Sequence, residues 1–511
     1  MNRQFSLYLF VGLALFLSAC QSDADDTPPP NFVFLFADDL TYSALGAYGN
    51  KVIQTPHLDK LAADGVQFAN AYNMGGWNGA ICMASRAMII SGRSVWRAHD
   101  FQTNWNAQDT VHIQQTWGRL LADAGYRTYM TGKWHVAAPA NRVFDTARHI
   151  RPGMPADNRN AYWKYMDLKN AGQPISESLR TAIAGYNRPL NESDDSWSPS
   201  DTTLGGFWEG GKHWSEVVRD DALDFIADAK DRPEPFFMYL AFNAPHDPRQ
   251  APQSFINQYP LESIEVPASF LPEYPYKDSI GCAPRLRDEG LAPFPRTEFA
   301  VRKHIQEYYA IISHLDEQIG KIIAALAASG QLENTYLVFS ADHGLSVGRH
   351  GLLGKQNMYD HSMKVPLLIS GPSIPAGSKV QKPVYLQDVM ATSLELAGLA
   401  PPDYLEFKSL LPLATGTSDA APYDYIYGAY QSDQRMLRQD GYKLIAYPRV
   451  NKFRLFDLRE DPQELNDLAQ LPEQQERLAD LYATLLESQR AFGDTLRLDK
   501  MRNALEGATS D

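Results

Sequence analysis

Cysteine is scarce in this chain: Cys20, Cys82 and Cys282 are the only three in 511 residues. That excludes a disulfide-built scaffold, so stability has to come from a large apolar core, which a chain of this length can bury. Basic stripes are missing as well, and the net charge of -14 removes nucleic acid as a partner, because nothing is there to meet its phosphates. An anionic substrate must then be drawn by a local basic cluster, against the global field. The chain has no His-x-x-x-His or other clustered histidine pattern, which argues against a zinc hydrolase. Internal repeats and low-complexity tracts are also absent.

Long hydrophobic runs are confined to the N-terminus. Residues 5–17 are nearly all apolar, with Arg3 before them, and the run is too short and too terminal for a spanning helix. Leu17-Ser18-Ala19-Cys20 resembles a bacterial lipobox, so 1–20 reads as a lipoprotein signal peptide with Cys20 as the lipidated residue. Residues 21–30 are polar, acidic and then proline-rich, as in a linker. The expected location is outside the cytoplasm, periplasmic or at the cell surface, with the membrane reached through the lipid alone.

Several runs are continuously apolar without alternation: 32–37, 126–131, 236–242, 336–340 and 365–370. Such runs fit buried parallel strands. Helical stretches lie between them. Thr55-Pro56 starts one, with Gly65 as its stop, and 298–329 has the spacing of a long amphipathic helix. The expected fold is therefore α/β, a large domain (31–403) with a central mostly parallel sheet flanked by helices. From residue 404 to 511 the pattern changes to short strands near 423–430, 435–437, 442–446 and 453–457, then an amphipathic helix over 473–492. This predicts a small C-terminal subdomain with an antiparallel sheet. Residues 142–212 and 261–296 read as long irregular loops rich in Pro, Asn, Asp and aromatics, and loops of that length are usually functional.

Four of the apolar runs end in polar residues. These are Asp38-Asp39, Lys133 with His135, His246, and Asp342-His343. Open α/β sheets bind ligands beyond the carboxyl ends of their strands, so these groups are expected to converge. The carboxylates of Asp38, Asp39 and Asp342 are hard oxygen donors that suit calcium or magnesium.

The most specific segment is Cys82-Met-Ala-Ser-Arg86 followed by Ser91-Gly92-Arg93. It resembles the signature of the type I, formylglycine-dependent sulfatases of the alkaline phosphatase superfamily. In that family the cysteine is oxidised to formylglycine, whose hydrate is the nucleophile. Gly132-Lys133-Trp134-His135, Pro245-His246 and Gly354-Lys355 match further family motifs, and the likeness runs from about residue 31 to 469. Ala84 stands where the family usually has proline. Oxygen-dependent maturases favour proline there and radical-type maturases accept alanine, so a radical-type formylglycine-generating maturase is the implied partner.

The resemblance implies catalytic roles for Cys82, Arg86, Lys133, His135, His246 and Lys355. It implies a calcium site at Asp38, Asp39, Cys82, Asp342 and His343. A sulfated carbohydrate is the expected substrate, with Trp77, His350 and Asn357 as candidate contacts. Two other readings stay open on the sequence: a phosphonate or phosphodiester hydrolase of the same superfamily, and a surface glycan-binding lipoprotein whose Cys82 is never oxidised.

Overall fold

The computed structural model describes residues 28–498 and 501, apart from 107, 154, 155, 205 and 206, and without the side chains of 156–159. Residues 1–20, read above as a signal peptide ending in Cys20, lie outside the described residues. No helix among the described residues is long and apolar enough to cross a membrane.

An eight-stranded sheet forms the centre of the larger part. Its middle is four neighbouring parallel strands, Thr335–Ala341, Asn31–Ala37, Phe236–Ala241 and Arg127–Lys133. Each is buried along almost its whole length, which is why the sequence shows continuous rather than alternating apolar residues. Thr146–Arg151 adds a fifth parallel strand at one edge.

The run at 365–370 departs from the expected parallel direction. The strand there is Leu367–Ser370, antiparallel to Thr335–Ala341. No crossover helix returns the chain to the far edge after Ala341, so it re-enters the sheet from the carboxyl side.

The helix Glu298–Ser329 packs beneath the sheet. Thr297 caps it by accepting from the Ala300 N–H, and Gly330 ends it in the left-handed conformation. Asp316 within it accepts from His57 N at 3.1 Å and Leu58 N at 2.8 Å, so it satisfies the orphan amides that open the helix Pro56–Ala63.

The segment 142–212 is less irregular than its composition suggests. It contains the helices Ala156–Asn170 and Glu177–Ala182. Their apolar contacts are largely tyrosines, Tyr162, Tyr165 and Tyr186, with Leu179 and Ile183, and together they build a small separate core. Tyrosine at core positions weakens the aliphatic periodicity that marks a helix in sequence.

A five-stranded sheet forms the second part, in the order Lys452–Asp457, Tyr442–Tyr447, Gln434–Gln439, Ile426–Tyr430, Gly75–Gly76. Four strands are antiparallel and C-terminal, and the helix Gln475–Phe492 covers them. The fifth, Gly75–Gly76, comes from the segment just before Cys82 and pairs in parallel with Ala429–Tyr430. Gly75 has φ 84°, and a Cβ there would lie 2.0 Å from the Ala429 carbonyl oxygen, so only glycine permits this pairing. The core under this sheet also takes Tyr72, Met74, Ile81, Met88, Tyr274 and Met358.

Candidate active site

The carboxyl ends of the four central strands lie side by side, and the polar residues that follow them converge. The helix Ile81–Ser91 brings Cys82 into the same place. Its N-cap is Ala80, which offers no side-chain oxygen, so its first-turn amides have no side-chain cap. The helix is wedged between two cores: Ala87, Ile89 and Ile90 join the larger one, Ile81 and Met88 the smaller.

Cys82 Sγ lies 2.8 Å from Lys355 Nζ and 3.4 Å from Asp39 Oδ1. Lys355 Nζ also donates to Asp39 Oδ1 at 2.6 Å and Oδ2 at 2.7 Å. Lys133 Nζ is hydrogen-bonded to Asp38. Arg86, one helical turn after Cys82, donates from Nε to Asp342 Oδ2 at 2.8 Å and from Nη1 to the Lys133 carbonyl at 2.7 Å. Its Nη2 is buried with no partner. All of these side chains are almost completely buried.

The carboxylates form a compact set. Ligand atoms of Asp38, Asp39, Cys82 and Asp342 all lie within 4.8 Å of one another, and Asp38 Oδ1 is buried without a partner. Burial raises the carboxyl pKa values of Asp38 and Asp39, and the neighbouring Asp342 adds to this. Burial also opposes ionisation of Asp342, but Arg86, Lys133 and Lys355 outweigh it and hold this carboxyl well below its usual range. A crowded set of hard oxygens with an orphaned atom fits a divalent cation of the calcium or magnesium type. His343 stands outside this set: its Nδ1 donates to the Gly344 carbonyl at 3.0 Å, its Nε2 has no partner, and burial moves its pKa down to about 4.

The same surroundings act on the Cys82 thiol. Burial and the three aspartates push its pKa well up, so the thiolate is disfavoured. Lys355 keeps its charge, because Asp39 and Asp288 outweigh the effect of burial.

Two histidines flank the cluster. His135 is largely buried, and burial, with Lys133 and Arg86 nearby, pushes its pKa down to about 2. Its ring is therefore neutral in these surroundings. His246 has Nδ1 2.6 Å from the Asp247 carbonyl oxygen, which makes Nδ1 the protonated nitrogen and leaves Nε2 facing the cluster, 3.7 Å from Asp39 Oδ2. Burial and the cations Lys355, Lys133 and Arg287 lower its pKa.

Of the candidate substrate contacts, Trp77 is half-buried, edge-on to His99. The other two are engaged inside the protein. His350 Nε2 bonds the Glu464 carbonyl at 3.0 Å and its ring stacks on Tyr359, while Asn357 bonds Ser346 Oγ and the Tyr359 amide.

Sequence reasoning missed Asn73, whose Nδ2 bonds Ser85 Oγ at 2.6 Å and the Asp342 carbonyl at 2.7 Å, tying the Cys82 helix to the metal-type site. It also missed Asp247, Arg287 and Asp288. The length of the 261–296 segment was the signal that could have found the last two.

Residues 30–399 match the family model described as Sulfatase, and residues 348–491 match that described as N-sulphoglucosamine sulphohydrolase, C-terminal. An N-acetylglucosamine-6-O-sulfatase from Bacteroides thetaiotaomicron is 26% identical over 94% of this chain and 90% of its own. Among solved structures, a protein bound to its substrate D-glucosamine-2-N,6-O-disulfate superposes with TM-score 0.68 at 21% identity, over 91% of this chain and 99% of that one. A phosphonate monoester hydrolase from Silicibacter pomeroyi superposes with TM-score 0.69 at 21% identity, over 91% and 96%.

Proposed function

This chain belongs to the sulfatase family, and from that premise we propose that it removes sulfate from a sulfated carbohydrate by way of a formylglycine made from Cys82. That it is a sulfuric ester hydrolase follows from the family and its relatives. The observation that carries the proposal is the position of Cys82, at a helix start among three carboxylates, two lysines and an arginine, in surroundings that suppress thiolate chemistry. A cysteine held there is of little use until it is oxidised. Its formylglycine hydrate supplies the hydroxyl nucleophile and the second hydroxyl through which sulfate is expelled.

Asp38, Asp39 and Asp342, with the oxygen derived from Cys82, would hold calcium, which supplies positive charge against the sulfate. The lysines that now pair with Asp38 and Asp39 would then turn to the sulfate oxygens, Lys133 and Lys355 together. Arg86, through its unpartnered Nη2, orients the nucleophilic oxygen. A sulfate ester brings negative charge among the cations around His246 and favours its protonated ring, which gives the Nε2 proton to the leaving alcohol. His135 takes the proton released when sulfate is expelled.

The N-acetylglucosamine-6-O-sulfatase relative and the solved structure bound to D-glucosamine-2-N,6-O-disulfate support a carbohydrate substrate. Residues 1–20 support export with a lipid at Cys20, and Ala84 supports a radical-type maturase. The intact mass of the tryptic peptide containing Cys82, from protein made in its native host, tests the proposal. A mass lower by the exchange of sulfur for oxygen together with the loss of two hydrogens, as the aldehyde requires, is expected; an unmodified thiol in protein that still releases sulfate would sink it. Cys82→Ala is expected to lower sulfate release by about 10⁶-fold. Because a phosphonate monoester hydrolase shares the fold, the assay includes a phosphonate ester of the same alcohol, which is expected to turn over more slowly than the sulfate.

A further inference from the structure

The open nitrogen of His246 has a neighbour that no motif marks. Arg287 Nη2 lies 3.4 Å from His246 Nε2. The guanidinium is fixed on its other sides: Nη1 donates to the Tyr186 hydroxyl at 3.0 Å and to Asp247, and Nη2 lies 2.5 Å from Asp288 Oδ1. Asp288 is in turn held by Gln356 Nε2 at 2.7 Å, next to Lys355. Lys355 is sealed in, with 2% of its side chain exposed, whereas Arg287 keeps 13%.

We propose that Arg287 is a further catalytic residue that contacts the leaving alcohol oxygen beside His246. The inference rests on the reading of His246 as proton donor in sulfate ester cleavage. In that step the nucleophilic oxygen bonds to sulfur as the bond from sulfur to the leaving oxygen breaks. The electron pair passes to the leaving oxygen, which takes the Nε2 proton of His246. Arg287 transfers no proton. The Nη2 that now faces Nε2 is the group placed to donate a hydrogen bond to that oxygen as charge develops on it, from a geometry already fixed by Tyr186, Asp247 and Asp288.

Charge also sets what Arg287 does not do. Asp247 and Asp288 more than neutralise it, so this corner is a poor subsite for a second sulfate or carboxylate. It suits a leaving group that is a basic alkoxide, as a sugar hydroxyl gives. The more basic the leaving alcohol, the more the bond from Arg287 matters.

The test compares two small probes, 4-nitrophenyl sulfate, whose phenol leaves readily, and phenyl sulfate, whose phenol is more basic. Matured wild type, Arg287→Met and Arg287→Lys are assayed side by side. The methionine variant is expected to lose about 10²–10³-fold in kcat on phenyl sulfate and under about tenfold on 4-nitrophenyl sulfate. The lysine variant should recover part of the loss on phenyl sulfate. Equal losses on both probes overturn the proposal and reduce Arg287 to an ion-pair partner of Asp247 and Asp288. Should the methionine variant not fold, the lysine variant carries the same comparison, since it keeps the charge but loses the planar fork. Matured wild type that releases sulfate from neither probe nor from a sulfated sugar would instead overturn the sulfatase reading itself.

Discussion

The two larger sheets of this molecule follow different rules and hold the same site. The central sheet is parallel in its middle, buried on both faces, and delivers the proposed reacting groups from the ends of its strands. The C-terminal sheet is antiparallel and delivers no reacting group. It holds the segments that carry them. Gly75–Gly76, just ahead of Cys82, is its fifth strand. Gln434 Nε2 bonds the Gln356 carbonyl at 2.7 Å, and Lys443 Nζ bonds the Met358 carbonyl at 3.2 Å, so both grip the loop that carries Lys355. The lesson is that a group's chemistry and its rigidity can come from different parts of the chain.

Substitutions can break this division of labour on either side. On the central side, His135→Ala removes the proposed base while the ring has no partner at Nδ1, so sulfate release should fall by about 10²–10⁴-fold. The urea midpoint should hardly move. A large loss of stability with little loss of rate would contradict the assignment.

On the C-terminal side the order reverses. Lys443 is fully buried between Asp360 and Glu464. Lys443→Met leaves two buried carboxylates without their cation and should cost about 3–5 kcal/mol in urea unfolding. A change under about 1 kcal/mol would show that the C-terminal sheet does not anchor the Lys355 loop through this residue.

Asp388 joins the two parts, and its effect should be the smallest and should depend on pH. It belongs to the helix Asp388–Leu396 and accepts from the Tyr385 amide, the Lys408 amide and the Tyr423 hydroxyl. Burial raises its pKa to about 7. Between about pH 4 and 7 the folded state therefore holds a proton that the unfolded chain has lost, so its stability contribution is full below pH 4 and declines as pH rises to 7. The stability difference between wild type and Asp388→Asn should shrink across that window, by on the order of a few kcal/mol. A difference that stays constant with pH would mean the carboxyl is ionised throughout.

Much of the site could be read in the chain. Asp38, Asp39, Lys133, His246 and Asp342 each follow an apolar run, and parallel strands place such residues at one edge whatever their order in sequence. Arg86 was visible too, since a spacing of four puts it on the Cys82 face of a helix. His343 was expected beside the carboxylates, and its ring nitrogens do not join their set. His350 and Asn357 are near motif residues in sequence, yet their bonds are internal. Proximity in sequence fixes neither the direction of a side chain nor what it meets.

The sequence by itself determined the fold class, the strands that carry the chemistry and the identity of most groups at their ends. Local apolar runs and a short motif are enough for that, because burial and helical spacing act over a few residues. Tertiary structure decided the rest. It turned Leu367–Ser370 antiparallel, drew Gly75–Gly76 into the C-terminal sheet, and set Arg287 beside His246. Each depends on contact between segments tens to hundreds of residues apart, and such contacts are chosen by the packing of the whole chain rather than by any local pattern.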